Sequence, residues 1–173
     1  MLIALKKWTE EDKPYLIKLC NNADRTYLTG RLPYPYTEEC ADWWLNMVKE
    51  HDGKDSLFRA IVADGDIVGN ITIEGKSDIF CKDAEIGYIV DKEYWGRGIA
   101  TEATRLAVEE AFASLDIEKI TSEVFAPNKA SARTLEKNGF KLEGVLRKAA
   151  YKNGVFYDIL RYGKLRGEQA NAR

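Results

Sequence analysis

The stretch AEIGYIVDKEYWGRGIATEA, residues 84–103, decides the fold of this chain. Its first part, residues 84–90, alternates as a β-strand does and ends at a polar turn. A Gly-Arg-Gly turn follows at residues 96–98, and apolar residues then recur at helical spacing over residues 99–115. A strand that passes through such a turn into a helix predicts a crossover, so we expect the helix to carry the chain back across the sheet.

Helices and one strand are predicted before the first hairpin. Thr9 precedes three acidic residues, which is typical of a helix start because carboxylates favour its positive end. Pro33 and Pro35 exclude a helix through the segment RLPYPY, since each lacks an N–H donor. Asp64 and Gly65 are a typical hairpin signal. The predicted elements are a strand over residues 2–8, helices over 9–20, over 24–28 and after Thr37, and strands over 58–63 and 67–73.

The chain after the crossover helix predicts a strand, a short helix and a closing hairpin. Asn128 is a favoured helix N-cap, and Gly139 is a favoured stop because glycine adopts left-handed backbone freely. Asn153 and Gly154 are a second hairpin signal, which joins strands over residues 140–146 and 155–163, and a further strand covers 119–125. The order of elements predicts an α+β (mixed α/β) domain over residues 1–166, with a flexible tail at 167–173.

The composition favours one domain and excludes several partners. The 173 residues carry a formal net charge of -2 with scattered basic residues, which argues against nucleic acid. No apolar run approaches the roughly 20 residues of a membrane-spanning helix, and the N-terminal segment lacks the layout of a signal peptide. Three well-separated cysteines and a single histidine, His51, predict neither a disulfide framework nor a metal site. We therefore expect a cytoplasmic protein without metal, nucleic-acid or membrane partners.

The glycine turn at residues 96–98 has two interpretations. A helix N-terminus offers N–H groups without intrahelical partners and a partial positive charge, and glycine lets a ligand come close to them. The turn therefore indicates a phosphate site, to which Arg97 could add a charged contact. The alternative is a tight strand-to-helix turn without a ligand. A dinucleotide fingerprint is excluded because Thr101 stands at its third glycine, and the P-loop motif is absent.

Four segments carry a family pattern in order: LFRAIVADGDIVGNITI, AEIGYIVDKEYWGRGIATEA, NKASARTLEKNGFKLEGVLR and KNGVFYDILRYGKL. They resemble the GNAT superfamily of acetyl-CoA-dependent N-acetyltransferases. The pyrophosphate motif of that superfamily is (Q/R)-x-x-G-x-(G/A), which Gly98 and Ala100 match, whereas Trp95 replaces its first residue. The form YWGRGIATEA is typical of one branch, so the chain is most similar to the ribosomal-protein N-terminal acetyltransferases of the RimJ/RimL type.

The resemblance implies the fold of that superfamily and its cosubstrate, acetyl-CoA. The fold is a curved, mostly antiparallel, seven-stranded mixed sheet flanked by helices, whose fourth and fifth strands splay apart to admit acetyl-CoA. Ile89 and Val90 would pair with the pantetheine arm at the splay. Main-chain amides of the glycine turn would hold the pyrophosphate, and an asparagine at the second helix start would contact the cofactor arm. These further cofactor residues are Gly96, Arg97, Gly98, Ile99, Ala100, Thr101 and Asn128.

The resemblance and the strand alternation together indicate two catalytic residues. Ser131 matches a serine near the thioester sulfur, which would also make it a cofactor contact, and its hydroxyl would give a hydrogen bond or proton to the departing thiolate. Leu135 stands where many members have a tyrosine. Glu85 shares a strand face with a glycine, which indicates a base facing an open cleft, with Glu74 and Asp158 as weaker alternatives. The structural alternatives are a first-turn helix residue for Ser131 and a solvated carboxylate for Glu85.

The expected acceptor is an amine that attacks the thioester directly, since no cysteine is placed for an acyl-enzyme. Tyr34 and Tyr36 are expected to line the substrate groove with Glu85. An α-amino group, with a pKa of about 7.7–8.0, is far more often neutral near pH 7 than a lysine at about 10.4. This favours a protein N-terminus as substrate. The alternatives are a small amine, such as a polyamine, amino acid or antibiotic, and a non-catalytic CoA-binding sensor; a monomer or a homodimer is expected.

Overall fold

Seven strands form one sheet in the computed structural model, which describes residues 1–168. Most of the tail predicted at residues 167–173 lies outside the described residues. The order in the sheet is β1-β2-β3-β4-β5-β7-β6, and every neighbouring pair is antiparallel except β4 with β5. The predicted mixed α/β architecture with a mostly antiparallel sheet is therefore confirmed. The strands are β1 Ile3–Lys7, β2 Ser56–Ala63, β3 Asp66–Gly75, β4 Asp83–Val90, β5 Lys119–Phe125, β6 Lys141–Lys152 and β7 Val155–Leu165.

Four α-helices cover both faces of this sheet within the described residues: α1 Lys13–Asn22, α2 Glu38–His51, α3 Ile99–Ser114 and α4 Lys129–Lys137. Successive strand residues point to opposite faces, so Leu57 joins a core with α3 and α4 while Phe58 joins a second core with α1 and α2. On α3 the alanines Ala103, Ala107 and Ala111 are fully buried, which brings this helix close to the sheet. None of the helices described is long and apolar enough to cross a membrane.

The local signals in the sequence account for most element boundaries. Both hairpins turn on paired left-handed residues, with φ of 50° and 100° at Asp64 and Gly65, and 51° and 78° at Asn153 and Gly154. Thr37 caps α2 by accepting a hydrogen bond from the Cys40 N–H at 3.3 Å, as predicted. The two predicted hairpins and this cap are confirmed, because each depends only on residues adjacent in sequence.

The start of the first helix differs from its prediction. Thr9 caps a short 3-10 turn, Glu10–Asp12, rather than the α-helix itself. The Asp12 carboxylate accepts hydrogen bonds from the Thr9 main-chain N–H at 3.0 Å and from its hydroxyl at 2.9 Å. The α-helix then begins at Lys13, with Pro14 in its first turn, where proline costs no hydrogen bond.

The sheet opens between β4 and β5. Their parallel pairing covers only three residue pairs, from Asp83–Lys119 to Glu85–Thr121, although both strands continue. Beyond that point β4 remains bonded to β3, and β5 remains bonded to β7 as far as Phe125. The space between residues 87–90 of β4 and residues 123–125 of β5 is called the β4–β5 gap below.

The paired end of the gap is held by the Thr121 side chain. Its hydroxyl donates to the Asp83 carboxylate at 3.0 Å and accepts from the Lys76 ammonium at 2.9 Å. Lys76 and Asp83 are themselves paired at 2.6 Å. This network joins three strands just before the sheet opens, so it fixes where the opening begins.

The segment 24–28 is not the predicted helix. The carbonyl groups of Arg25, Thr26 and Leu28 accept hydrogen bonds from the Lys152 ammonium of β6, at 3.1 Å for Thr26 and 2.7 Å for Leu28. The Asp24 carboxylate accepts from the Thr26 N–H at 2.8 Å, which forms a local turn. A distant lysine therefore overrides the local helical preference of this segment.

The loop at residues 24–28 crosses the open end of the β4–β5 gap, which is called the mouth of the gap below. On one side, the Asp24 carboxylate lies 2.7 Å from the Lys92 ammonium, just after β4. On the other side, the Tyr27 ring packs 5.8 Å from the Phe125 ring at the end of β5. Lys152 holds the same loop from the β6–β7 hairpin. The loop is thus fastened to both edges of the opening.

Replacing Asp24 with asparagine should weaken this loop in a pH-dependent way. Hydrogen bonds from Lys92 and then Thr26 hold the pKa of the Asp24 carboxyl well below its usual range. A lowered pKa gives stability that is complete above the unfolded-state pKa of about 3.9 and is lost as pH falls through the folded-state value. We expect the wild-type free energy of unfolding to exceed that of Asp24→Asn by about 0.5–1 kcal/mol between pH 7 and about pH 4, and the difference to shrink at lower pH.

Urea unfolding across this pH range measures the difference. Asp66→Asn, at the exposed start of β3, is the matched control and should change the free energy of unfolding by less than about 0.5 kcal/mol. A difference for Asp24→Asn that stays constant down to pH 2, or that is absent at pH 7, would contradict the assignment.

Candidate active site

Alternate residues of β4 direct their main-chain groups to β3. The register between these two strands runs without a break. Just beyond its two ends, the main chains of Asp83 and Asp91 are hydrogen-bonded to the β3 side at 3.0 and 2.9 Å. Because hydrogen-bonded pairs alternate in an antiparallel ladder, the odd-numbered residues of β4, Ile89 included, bond to β3.

The even-numbered residues of β4 direct their main-chain groups to the β4–β5 gap. The Ile86 carbonyl accepts a hydrogen bond from a β5 serine hydroxyl at 3.2 Å, and the Val90 carbonyl accepts from the Trp95 indole N–H at 2.8 Å. The N–H and carbonyl of Tyr88 and the N–H of Val90 lie between these two contacts. The expectation for Ile89 is thereby corrected, since its main-chain groups face β3 and those of Tyr88 face the gap beside Val90.

The turn at residues 96–98 enters α3 with left-handed backbone at both glycines. The φ angles are 75° at Gly96 and 77° at Gly98, and a Cβ at either position would meet no atom within 4 Å. Glycine is needed here for its conformation rather than for space. The first helical hydrogen bond joins the Glu102 N–H to the Gly98 carbonyl at 3.1 Å, so the preceding amides have no acceptor inside the helix. These are the amides of Ile99, Ala100 and Thr101.

Arg97 and Trp95 fix the shape of this turn. The Arg97 guanidinium donates to the Glu93 carbonyl at 2.9 Å and lies 5.2 Å from the centre of the Tyr94 ring. Trp95 is 54% exposed, yet its indole folds back onto the end of β4 through the hydrogen bond to Val90. The glycine turn is therefore tied to the strand end that borders the gap.

Helix α4 begins on the β5 side of the gap and carries Asn128 and Ser131. The Asn128 side-chain oxygen accepts from the Ser131 N–H at 3.3 Å, so the predicted cap is formed. The Ser131 hydroxyl lies 2.9 Å from the phenol oxygen of Tyr88, which reaches it from β4. Leu135 is completely buried in the main core, so packing fills the position where the superfamily has a tyrosine.

A cleft of about 200 Å³ opens where β4–β5 pairing ends. Glu85 of β4 lies opposite Glu74 of β3, so two carboxylates share one face of the sheet. Glu74 has two polar neighbours, the Arg31 guanidinium at 3.5 Å and the Thr72 hydroxyl at 3.3 Å. Glu85 is exposed, and Gly87 beside it leaves its face of the strand open. Arg31 and Lys76 also line this cleft, so it carries charges of both signs beside the gap.

Three other residues named from the sequence do not line this cleft. Tyr36 is only 5% exposed and packs in the core of α1 and α2, so its expected place in a substrate groove is wrong. Tyr34 is 71% exposed, with the Arg25 guanidinium 4.8 Å from the centre of its ring. The Asp158 carboxylate accepts from the Lys148 N–H at 2.8 Å, which shapes an irregular part of β6 rather than the cleft.

Several residues of the site were missed because their sequence signal is weak. Tyr88 belongs to the inward face of β4 by alternation alone, and nothing local indicates that its phenol reaches α4. Lys152 is one of many surface lysines, and Thr121 is one β-branched residue in a predicted strand. Each of these three side chains contacts a residue more than 30 positions away in the sequence. Tyr88 and Ser131, for example, are 43 positions apart.

Residues 3–141 match the family described as Acetyltransferase (GNAT) domain. This range covers most of the chain, so the chain belongs to the GNAT acetyltransferase family. The resemblance drawn from the glycine turn and the three accompanying segments is therefore confirmed.

Three proteins of Bacillus subtilis are similar in sequence to this chain. YoaA, an uncharacterized N-acetyltransferase of Bacillus subtilis, is 45% identical over 43% of this chain and 42% of its own length. YjcK of the same organism, provisionally named an N-acetyltransferase, is 40% identical over 64% of this chain and 60% of its own length. The chain thus spans about half the length of these two relatives. YdaF, also of B. subtilis and provisionally named a ribosomal N-acetyltransferase, is 30% identical over 77% of the chain and 70% of its length, which supports the RimJ/RimL-like branch.

A solved structure agrees with the fold. RimL, described as a ribosomal L7/L12 alpha-N-protein acetyltransferase in complex with coenzyme A, superposes with a TM-score of 0.81. The identity is 22%, and the match covers 94% of this chain and 93% of RimL. The likeness shows that the two proteins share their overall fold.

Proposed function

We propose that this protein is an acetyl-CoA-dependent N-acetyltransferase that acts on the α-amine of a protein N-terminus. The observation that carries the proposal is the β4–β5 gap, which has the amides of a glycine turn at one end and Ser131 on the helix beside it. The cleft lined by Glu74 and Glu85 adjoins the end of this gap at which β4 and β5 are still paired. In this proposal the acyl donor occupies the gap and the amine that receives its acetyl group occupies the adjoining cleft.

The gap suits the extended arm of acetyl-CoA. A pantetheine arm carries amide groups that can pair with the main chain of Tyr88 and Val90, as a missing strand would. The amides from Arg97 to Thr101 and the N-terminal end of α3 suit the pyrophosphate, because both favour negative charge. Asn128 stands where it can contact the arm from the other side. RimL, which shares this fold, was solved with coenzyme A, and this supports the same cosubstrate here.

The proposed chemistry is direct attack of the amine nitrogen on the thioester carbonyl. The nitrogen–carbon bond forms, the carbon–sulfur bond breaks, and the products are the acetylated amine and free CoA thiol. The oxyanion of the intermediate accepts hydrogen bonds from gap-facing N–H groups of β4. Glu85 takes the proton released by nitrogen through water, and Ser131 gives a hydrogen bond to the departing sulfur. Holding both reactants in one opening removes the entropic cost of their encounter.

The choice of acceptor depends on how readily the amine loses its proton. Near pH 7 an α-amino group is about 10–20% neutral, whereas a lysine is neutral only to about 0.04%. An amine that is already partly neutral needs less help from Glu85, which favours the α-amine. A small cationic amine is the second candidate, because Glu74 and Glu85 line a cleft of about 200 Å³, which Arg31 and Lys76 line as well.

Release of free CoA thiol from acetyl-CoA across a panel of amines tests the function. A peptide with a free N-terminus should react fastest, and mass spectrometry should locate one acetyl group on its α-nitrogen. The same peptide with a blocked N-terminus and an internal lysine is the matched control and should react far more slowly. Faster reaction of a polyamine or amino acid would favour the second candidate. Tight CoA binding without release of CoA thiol in the presence of any amine would contradict the enzymatic function and favour a CoA-binding sensor.

Replacing Gly98 with valine should remove CoA binding. A β-branched residue is strained at the φ of 77°, and its side chain would stand where the pyrophosphate approaches the amides. Gly53→Val is the matched control, since Gly53 has a φ of 78° and equally open surroundings in a turn after α2. Calorimetric titration should give at least a tenfold weaker CoA affinity for Gly98→Val alone. Equal CoA affinity of the two variants would rule out the glycine turn as the pyrophosphate site.

Replacing Glu85 with glutamine tests the base. We expect kcat/KM for the peptide to fall by roughly tenfold or more at pH 7, within the usual range for a general base. The loss should shrink at pH 9, because an α-amine is then mostly neutral without help. Glu74→Gln, in the facing strand position, is the control and should retain most activity. A larger loss for Glu74→Gln than for Glu85→Gln would assign the base to Glu74 instead.

A further inference from the structure

The Tyr88 side chain links the two sides of the β4–β5 gap. It leaves the inward face of β4, and its phenol oxygen lies 2.9 Å from the Ser131 hydroxyl oxygen on α4. The Ser131 main-chain carbonyl is farther from the phenol, at 3.4 Å. The shorter contact therefore joins the phenol to the hydroxyl that the proposed reaction uses.

The geometry allows either oxygen to donate in this contact, and the chemistry of the two groups favours the phenol. A phenol, with a pKa of about 10, is a stronger hydrogen-bond donor than an aliphatic hydroxyl. Burial raises the pKa of the Tyr88 phenol, while hydrogen bonds with Ser131 and Thr134 act in the opposite direction and are outweighed. The group therefore keeps its proton at neutral pH. When it donates to Ser131, the serine proton is free to point away from Tyr88.

We propose that Tyr88 is a positioning residue for the acetyl transfer, whose phenol donates to the Ser131 oxygen and directs the Ser131 proton toward the CoA sulfur. This inference rests on the proposed function, because it concerns the departure of the thiolate. A serine hydroxyl without such a partner rotates freely and can turn its proton toward a nearby main-chain carbonyl.

The role is confined to the breaking of the carbon–sulfur bond. As that bond breaks, the electron pair goes to sulfur, and the Ser131 O–H stabilises the thiolate by a hydrogen bond. Hydrogen bonds in a chain strengthen one another, so the phenol also makes the serine a better donor. The phenol keeps its own proton throughout, and the thiolate takes its final proton from water. The interaction contributes in the transition state rather than in binding, so it should affect kcat more than KM.

Tyr88→Phe tests this role because it removes only the phenol oxygen and keeps the ring. We expect kcat to fall by roughly tenfold or more, with the KM for acetyl-CoA and the Kd for CoA within about twofold of wild type. Tyr162→Phe is the matched control. Its buried phenol donates from β7 to the Glu136 carboxylate of the same helix at 2.8 Å, without contacting Ser131. The control variant should keep wild-type kcat.

The double variant separates positioning of Ser131 from a general effect on the fold. If Tyr88 acts through Ser131, then Tyr88→Phe should lower kcat in the wild-type background and have no further effect in Ser131→Ala. Wild-type kcat in Tyr88→Phe, additive losses in the double variant, or an equal loss in Tyr162→Phe would each overturn the inference. Failure of the proposed function has a different signature, namely a wild-type protein that releases no CoA thiol with any amine of the panel.

Discussion

The early end of β4–β5 pairing is the constraint on which the rest of the structure depends. Parallel bonding stops at Glu85 and Thr121, yet each strand stays bonded to its outer neighbour. An opening therefore forms inside a continuous sheet, without loss of support for either strand. Main-chain N–H and carbonyl groups that would normally pair across it are left directed into the gap, and such groups need partners. A ligand with amide groups of its own can supply them.

Both edges of the opening lead directly into groups that suit the same ligand. From β4 the chain passes into the glycine turn and the positive end of α3, and Trp95 ties that turn to the strand end. From β5 it passes into α4, where Asn128 caps the helix and Ser131 lies in its first turn. The helix starts are placed by the strands that precede them, so the divergence of the strands also sets the distance between the two helix ends.

Long-range polar contacts keep this arrangement in place. The Arg59 side chain, almost fully buried, binds Glu110 of α3 at 2.6 Å and Asp52 at 2.7 Å, which fixes α3 against the sheet. Lys152 of β6 and Lys92 just after β4 hold the 24–28 loop across the opening from two different elements. Loss of a partner of the buried Arg59 leaves a charge uncompensated, which is costly. These contacts therefore restrict how far the two edges can move.

The sequence by itself determined the elements whose signals are local, and the tertiary structure decided the contacts between distant residues. The hairpins at Asp64 and Asn153, the caps at Thr37 and Asn128 and the glycine turn depend on neighbours in the chain, so composition and spacing were sufficient. The tertiary structure decided three features: the conformation of the 24–28 loop, the burial of Tyr36, and the direction of the main-chain groups of Ile89 and Tyr88. Each depends on which strand or side chain lies opposite, and that is set only when the sheet assembles around its opening.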